Sequence, residues 1–144
     1  MELHHIGLVV GDIVAAADEF RRFHGGDEIW GPIVDDIQLA EIALVRSGDG
    51  LLYELLRPVS DESPIARAAK RGGPLHHLCF AVSDVEGAIA DARERAGIVV
   101  MPPAPAAAFG GLPVAFVYYR HRGLVEYVDR RATSPYCVGT SEGR

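Results

Sequence analysis

Two histidine–glutamate pairs recur in this 144-residue chain at one spacing. Glu54 follows His5 and Glu126 follows His77 at the same interval of 49 residues (54 − 5, 126 − 77). The second pair stands 72 residues after the first (77 − 5), and that offset also carries His4 onto His76 and Asp12 onto Asp84. Both glutamates lie in apolar runs, "LLYELL" and "GLVEYV", where a carboxylate charge is costly to bury. A divalent first-row ion offsets that cost, and neutral imidazole and carboxylate are ordinary ligands for such an ion. Two duplicated modules packed about a pseudo-twofold axis would bring His5, Glu54, His77 and Glu126 to one point, two ligands from each. An octahedral ion held this way keeps two positions open for two oxygens of a substrate, and their chelation acidifies the carbon between them.

The elements that position these residues also repeat. "LHHIGLVV" (3–10) and "LHHLCFAV" (75–82) are apolar strand-like runs. Asp12 and Asp84 follow as helix N-caps for "IVAAADEFRRF" and "VEGAIADARERAG", with Gly25 and Gly26 stopping the first helix. Residues 37–45, the turn "SGDG" and residues 51–56 read as a hairpin; "LPVAFVYY", "RHRG" and "LVEYVD" read as its counterpart. Residues 98–101 form a short strand, followed by the loop "PPAPAAAFGG". The chain thus reads as a single domain: module one at about 1–57, a linker with a short helix at 58–74, module two at about 75–129, and a loosely held polar tail at 130–144. Strand alternation then separates the histidines. His4, Ile6, Leu8 and Val10 share the bulkier face, suited to helix packing, while Leu3, His5, Gly7 and Val9 share a smaller one that leaves room for a bound molecule. The same parity selects His77 over His76.

Composition narrows the function classes. A net charge of −6 with no basic stripe argues against nucleic-acid binding. The chain is 49% hydrophobic and 24% charged, ordinary for a globular protein, and no apolar run approaches the ~18 residues of a membrane span. Cys79 in a strand and Cys137 in the tail suggest a reducing cytoplasm rather than a disulfide framework. Nucleotide-binding glycine signatures are absent.

The repeat with one ligand pair per module resembles the vicinal oxygen chelate superfamily, which includes glyoxalase I, extradiol dioxygenases and bleomycin-binding proteins. Within it, "LHHIGLVVGDI", the block "YELLRPVSDESPIARAAKRGGPLHHLCFAVSDVEGAI", "GGLPVAFVYY" and "GLVEYVD" resemble the methylmalonyl-CoA epimerases most. The resemblance spans residues 3–129. It implies an α+β fold of two paired βαβββ modules forming an open, cupped mixed sheet, and a homodimer. It implies a divalent ion (cobalt, manganese, nickel or zinc) on His5, Glu54, His77 and Glu126. It also implies an isomerase that abstracts the α-proton of a methylmalonyl-CoA-type acyl thioester. The cysteine usage, charge and hydropathy above add the expectation of a cytoplasmic protein with no nucleic-acid or membrane partner.

Asp36 and Glu126 are the candidate catalytic residues. The "PEQG"-like stretch that carries the epimerase base is missing here, and counting back from "EI" at 41–42 puts Asp36 in its place, with Glu41 as the weaker alternative. The coenzyme-facing hairpin is also altered: Leu112 and Pro113 precede "VAF", and Arg120 and Arg122 in "YYRHRG" are the groups left to meet a phosphate. Two rival readings share the fold: a glyoxalase I-like lyase, and a non-catalytic small-molecule (drug) binding protein. Retention of four candidate ligands and an aromatic content of only 8% count against the second.

Overall fold

The chain's computed structural model describes residues 1–26 and 28–132. Eight strands and three helices follow in the order β1 (Glu2–Val9), α1 (Ile13–His24), β2 (Glu28–Asp35), β3 (Ala40–Arg46), β4 (Leu52–Pro58), α2 (Ala66–Arg71), β5 (Leu75–Val82), α3 (Val85–Glu94), β6 (Ile98–Pro105), β7 (Pro113–Tyr119) and β8 (Gly123–Asp129). Both modules are therefore βαβββ. Two compact units divide the chain: one is His5–His76, the other Met1–His4 with the chain from His77.

In the first unit the strands run β2-β3-β4-β1, with β1 parallel to β4 and the other pairs antiparallel. Helix α1 begins where the Asp12 carboxylate accepts a 2.9 Å bond from Ala15 N, a cap that contributes about 1 kcal/mol. The helix buries Ile13 and Ala17 against Ala43, Val45 and Leu55, with Leu8, Val10 and Phe20 packed alongside. The fully buried larger side chains among them, Ile13, Val45 and Leu55, contribute roughly 1.5–3 kcal/mol each. In the second unit the order is β5-β8-β7-β6, with β5 parallel to β8. Asp84 caps α3 through Gly87 N at 3.0 Å, and Val85, Ile89 and Ala92 pack on Ala115, Val117, Val125 and Tyr127.

Strand β2 does not show in the sequence pattern, for a physical reason. It is the outermost strand of its unit, most of its residues are exposed, and Gly31-Pro32 interrupts it at a register shift. An edge strand at a bulge tolerates a proline that an inner ladder would reject. Gly31 has φ +94°, and a Cβ there would come within 2.7 Å of the Ile42 carbonyl oxygen, so only glycine fits. Strand β6 likewise continues through Pro102 and Pro103 to Pro105 instead of ending at residue 101. The hairpin strand expected from residue 37 begins at Ala40, after a turn over residues 36–39.

The tail expected to be loose from Arg130 is held over its first residues. Arg130 N donates to Val82 O at 2.7 Å, Arg131 pairs with Asp129, and Ala132 is buried with its carbonyl bonded to the His4 ring. The remainder of the tail, with Cys137, lies outside the described residues. Among the described residues no helix is long and apolar enough to cross a membrane.

Candidate metal centre

Two half-sites are built on the same plan. In the first unit, the parallel β1–β4 ladder sets Gly7 beside Glu54, so His5, Gly7 and Val9 share the face that Glu54 occupies. Across β3–β4, Glu54 is opposite Leu44, and Ile42 is opposite Leu56 on that same face. The α1-packed residues Ala43, Val45 and Leu55 alternate with these, so Glu54 points away from the helix. His5 Nε2 lies 3.4 Å from Glu54 Oε2, with the two side chains 0% and 4% exposed.

The second unit repeats the arrangement. Cys79, which is buried, sits beside Glu126 in the β5–β8 ladder, and Phe116 is opposite Glu126 across β7–β8. His77 Nε2 is 3.0 Å from Glu126 Oε2, and the His77 ring meets Phe116 edge-to-face at 5.2 Å. His4 lies on the other side of β1, its ring edge-to-face on Phe109 at 5.3 Å and bonded to the Ala132 carbonyl. His5, Glu54, His77 and Glu126 are all buried.

These pairs fit a metal. Nitrogen and oxygen ligands stand about 2.1 Å from a first-row ion, so neighbouring ligand atoms are about 3.0 Å apart in octahedral and about 3.4 Å apart in tetrahedral geometry. The observed 3.0 Å and 3.4 Å are separations that two neighbouring ligand atoms of one ion can span. A buried carboxylate facing an imidazole with apolar flanks is what such a donor set requires, since ligation compensates the buried charge.

Other residues singled out by sequence fall in different places. Asp36 is exposed in the turn that joins β2 to β3. Its neighbour Asp35, not singled out, ends β2 with 1% exposure and accepts bonds from Ile37 N and Gln38 N, both at 2.9 Å. The pair "DD" at the end of an apolar stretch was the only signal that one of them would turn inward. Glu41 stands on the α1-packed face, opposite Arg57, and pairs with it at 2.6 Å. It points away from the Glu54 side, so it is not placed to serve as a base there. The Arg122 guanidinium lies 5.5 Å over Phe80 and 5.0 Å over Tyr119, rings that pack on the α3-facing cluster. Arg122 is thus occupied on the helix side of its unit, opposite to the Glu126 face. Tyr119 itself donates to or accepts from the Tyr127 hydroxyl at 2.8 Å, and burial together with that bond pushes its phenol up to about 12.

The sequence profile of the glyoxalase/bleomycin resistance protein/dioxygenase superfamily matches residues 4–116. The chain belongs to that superfamily. Among curated relatives of this superfamily member, the ethylmalonyl-CoA/methylmalonyl-CoA epimerase of Cereibacter sphaeroides is 29% identical over 118 residues, 81% of this chain and 87% of that protein. Among solved structures, a hypothetical protein from Bacillus halodurans C-125 matches with TM-score 0.76 at 30% identity, covering 89% of this chain and 93% of the other. A Streptomyces coelicolor methylmalonyl-CoA epimerase variant in complex with 2-nitronate-propionyl-CoA matches with TM-score 0.76 at 25% identity, covering 90% and 96%. The α+β fold built from two βαβββ modules is that of the superfamily.

Proposed function

We propose that this chain is a metal-dependent isomerase that epimerises a methylmalonyl-CoA-type acyl thioester by moving its α-proton. The observation that carries the reading is the duplicated, buried His–Glu pair, with Nε2–Oε2 separations of 3.4 Å and 3.0 Å and one 49-residue spacing (54 − 5, 126 − 77). In this reading His5, Glu54, His77 and Glu126 together hold one divalent ion, two ligands from each unit. Epimerase relatives and structural neighbours support the reaction class.

When bound, a divalent ion supplies the Lewis acidity that polarises a carbonyl oxygen and acidifies the neighbouring C–H. The chain's residues do the rest. His5 and His77 present Nε2, which requires neutral rings, and Glu54 and Glu126 balance the ion's charge with their carboxylates. Ile42, Leu44 and Leu56 in one unit and Phe116 in the other keep the ligand faces dry, which strengthens electrostatic effects on the reacting group. Asp36 takes the α-proton at a carboxylate oxygen, and the α-carbon takes its new proton from a group in exchange with solvent. Glu126, the second catalytic candidate, gives one only after it has itself been protonated.

Deuterium wash-in tests this. Metal-loaded protein in D2O should place deuterium at the α-carbon of 2-methylmalonyl-CoA, lose that ability with chelator, and regain it with cobalt or manganese. Chelator-resistant exchange would remove the metal from the mechanism. No exchange with any acyl thioester, combined with tight binding of a small apolar molecule, would replace the enzyme by a binding protein.

A further inference from the structure

The turn that carries Asp36 is fastened on both sides by buried polar groups. The β2–β3 ladder closes with Asp35 opposite Ala40, leaving residues 36–39 as the connection. Asp35 Oδ1 accepts from Ile37 N and Gln38 N, both at 2.9 Å, and Oδ2 meets Gln38 Nε2 at 3.5 Å. On the far side, Ser63 Oγ donates to Gln38 O at 3.4 Å and Val59 N donates to Leu39 O at 3.1 Å. Asp35 and Ser63 are both buried, at 1% and 5%, whereas Asp36 is exposed. Leu39 takes φ +49°, a conformation an unconstrained leucine avoids. The outcome is a rigid turn holding one exposed carboxylate.

We propose that Asp35 is a positioning residue that fixes the aim of the Asp36 carboxylate, with Ser63 as its counterpart from the segment after β4. This rests on the assignment of Asp36 as base in the reading above. General-base efficiency depends on approach within hydrogen-bond reach of the proton, and a displacement of about 1 Å can lower a rate about a hundredfold. Asp35 acts here as an acceptor, not as a base: its Oδ1 receives two N–H groups, a task an amide oxygen also performs.

The test is a double-mutant cycle on α-proton exchange at saturating methylmalonyl-CoA, with metal content and Tm measured in parallel. Asp35→Ala should lower kcat at least about tenfold, with KM and bound metal unchanged. Asp35→Asn should recover most of that rate. In an Asp36→Asn background, Asp35→Ala should cost nothing further, because a residue acting through Asp36 has nothing left to aim. Full activity in a folded Asp35→Ala protein of lower Tm would reduce Asp35 to a structural staple and overturn the proposal. An Asp35→Asn protein as inactive as Asp36→Asn would make Asp35 the base and overturn it too, as would additive losses in the cycle. If Asp35→Ala fails to fold, Ser63→Ala carries the same test: a smaller kcat loss, absent in the Asp36→Asn background, supports the proposal, and an unchanged kcat overturns it. Wild-type exchange that is lost in His77→Ala but untouched in Asp36→Asn would sink only this proposal. Absence of exchange in the wild type would sink the isomerase reading itself.

Discussion

Glu54 stands opposite Leu44 and Glu41 stands opposite Arg57 in one antiparallel ladder, so the two glutamates, thirteen residues apart (54 − 41), face opposite sides of the β3–β4 pair. The side of Glu54 is apolar and shared with His5; the side of Glu41 is closed by α1 and partnered by Arg57. In the proposed reading, this parity places the metal ligand on one side of the pair and the ion pair on the other.

Glu41→Gln should therefore leave metal content and α-proton exchange at wild-type levels. Its ion pair with Arg57 is partly exposed, so the stability change should stay within about 1 kcal/mol, read from denaturant midpoints. A loss of exchange above tenfold would show that Glu41 reaches the substrate.

Metal stoichiometry should follow the half-sites. Elemental analysis should find one divalent ion per chain in the wild type and strong loss in His77→Ala and Glu126→Ala, while His4→Ala, on the other side of β1, keeps its metal. Retention in all three would remove the assignment. Metal affinity should also weaken as pH falls, because protonated imidazole cannot ligate and ligand protonation competes with the ion. An affinity that rises on acidification would contradict imidazole ligation.

Asp129 gives the acid limb of stability a specific handle. The Arg131 guanidinium and backbone N–H beside it hold its carboxyl down at about 2, below the ordinary 3.8. A depressed native-state pKa stabilises the fold above the ordinary carboxylate value, and that contribution disappears as pH falls from about 4 through about 2. Asp129→Asn should flatten the Tm-against-pH curve in that window, and Arg131→Ala should flatten it in part. Parallel curves for the wild type and Asp129→Asn would contradict the pairing.

Gly31→Ala should destabilise by about 1–3 kcal/mol, since the new Cβ meets the Ile42 carbonyl at 2.7 Å and alanine avoids φ +94°. A Tm equal to the wild type would mean that β2 can relax away from β3.

The 72-residue repeat was legible without any coordinates, because duplicated chemistry leaves identical residue types at identical intervals. From it followed the His–Glu pairs, the two capped helices, and, through the two-residue period of strands, which histidine of each pair shares a face with the glutamate. Local physics determines those features. Strand β2 was not legible: an outermost strand with exposed residues and a proline carries no alternating apolar signal, and only pairing with β3 defines it. Nor could adjacency in "DD" tell that Asp35 is buried and Asp36 exposed, or composition tell that Arg122 lies over aromatic rings on the helix side. Each of those outcomes depends on register and on which neighbour a distant segment supplies, and such long-range contacts exist only once the chain has folded.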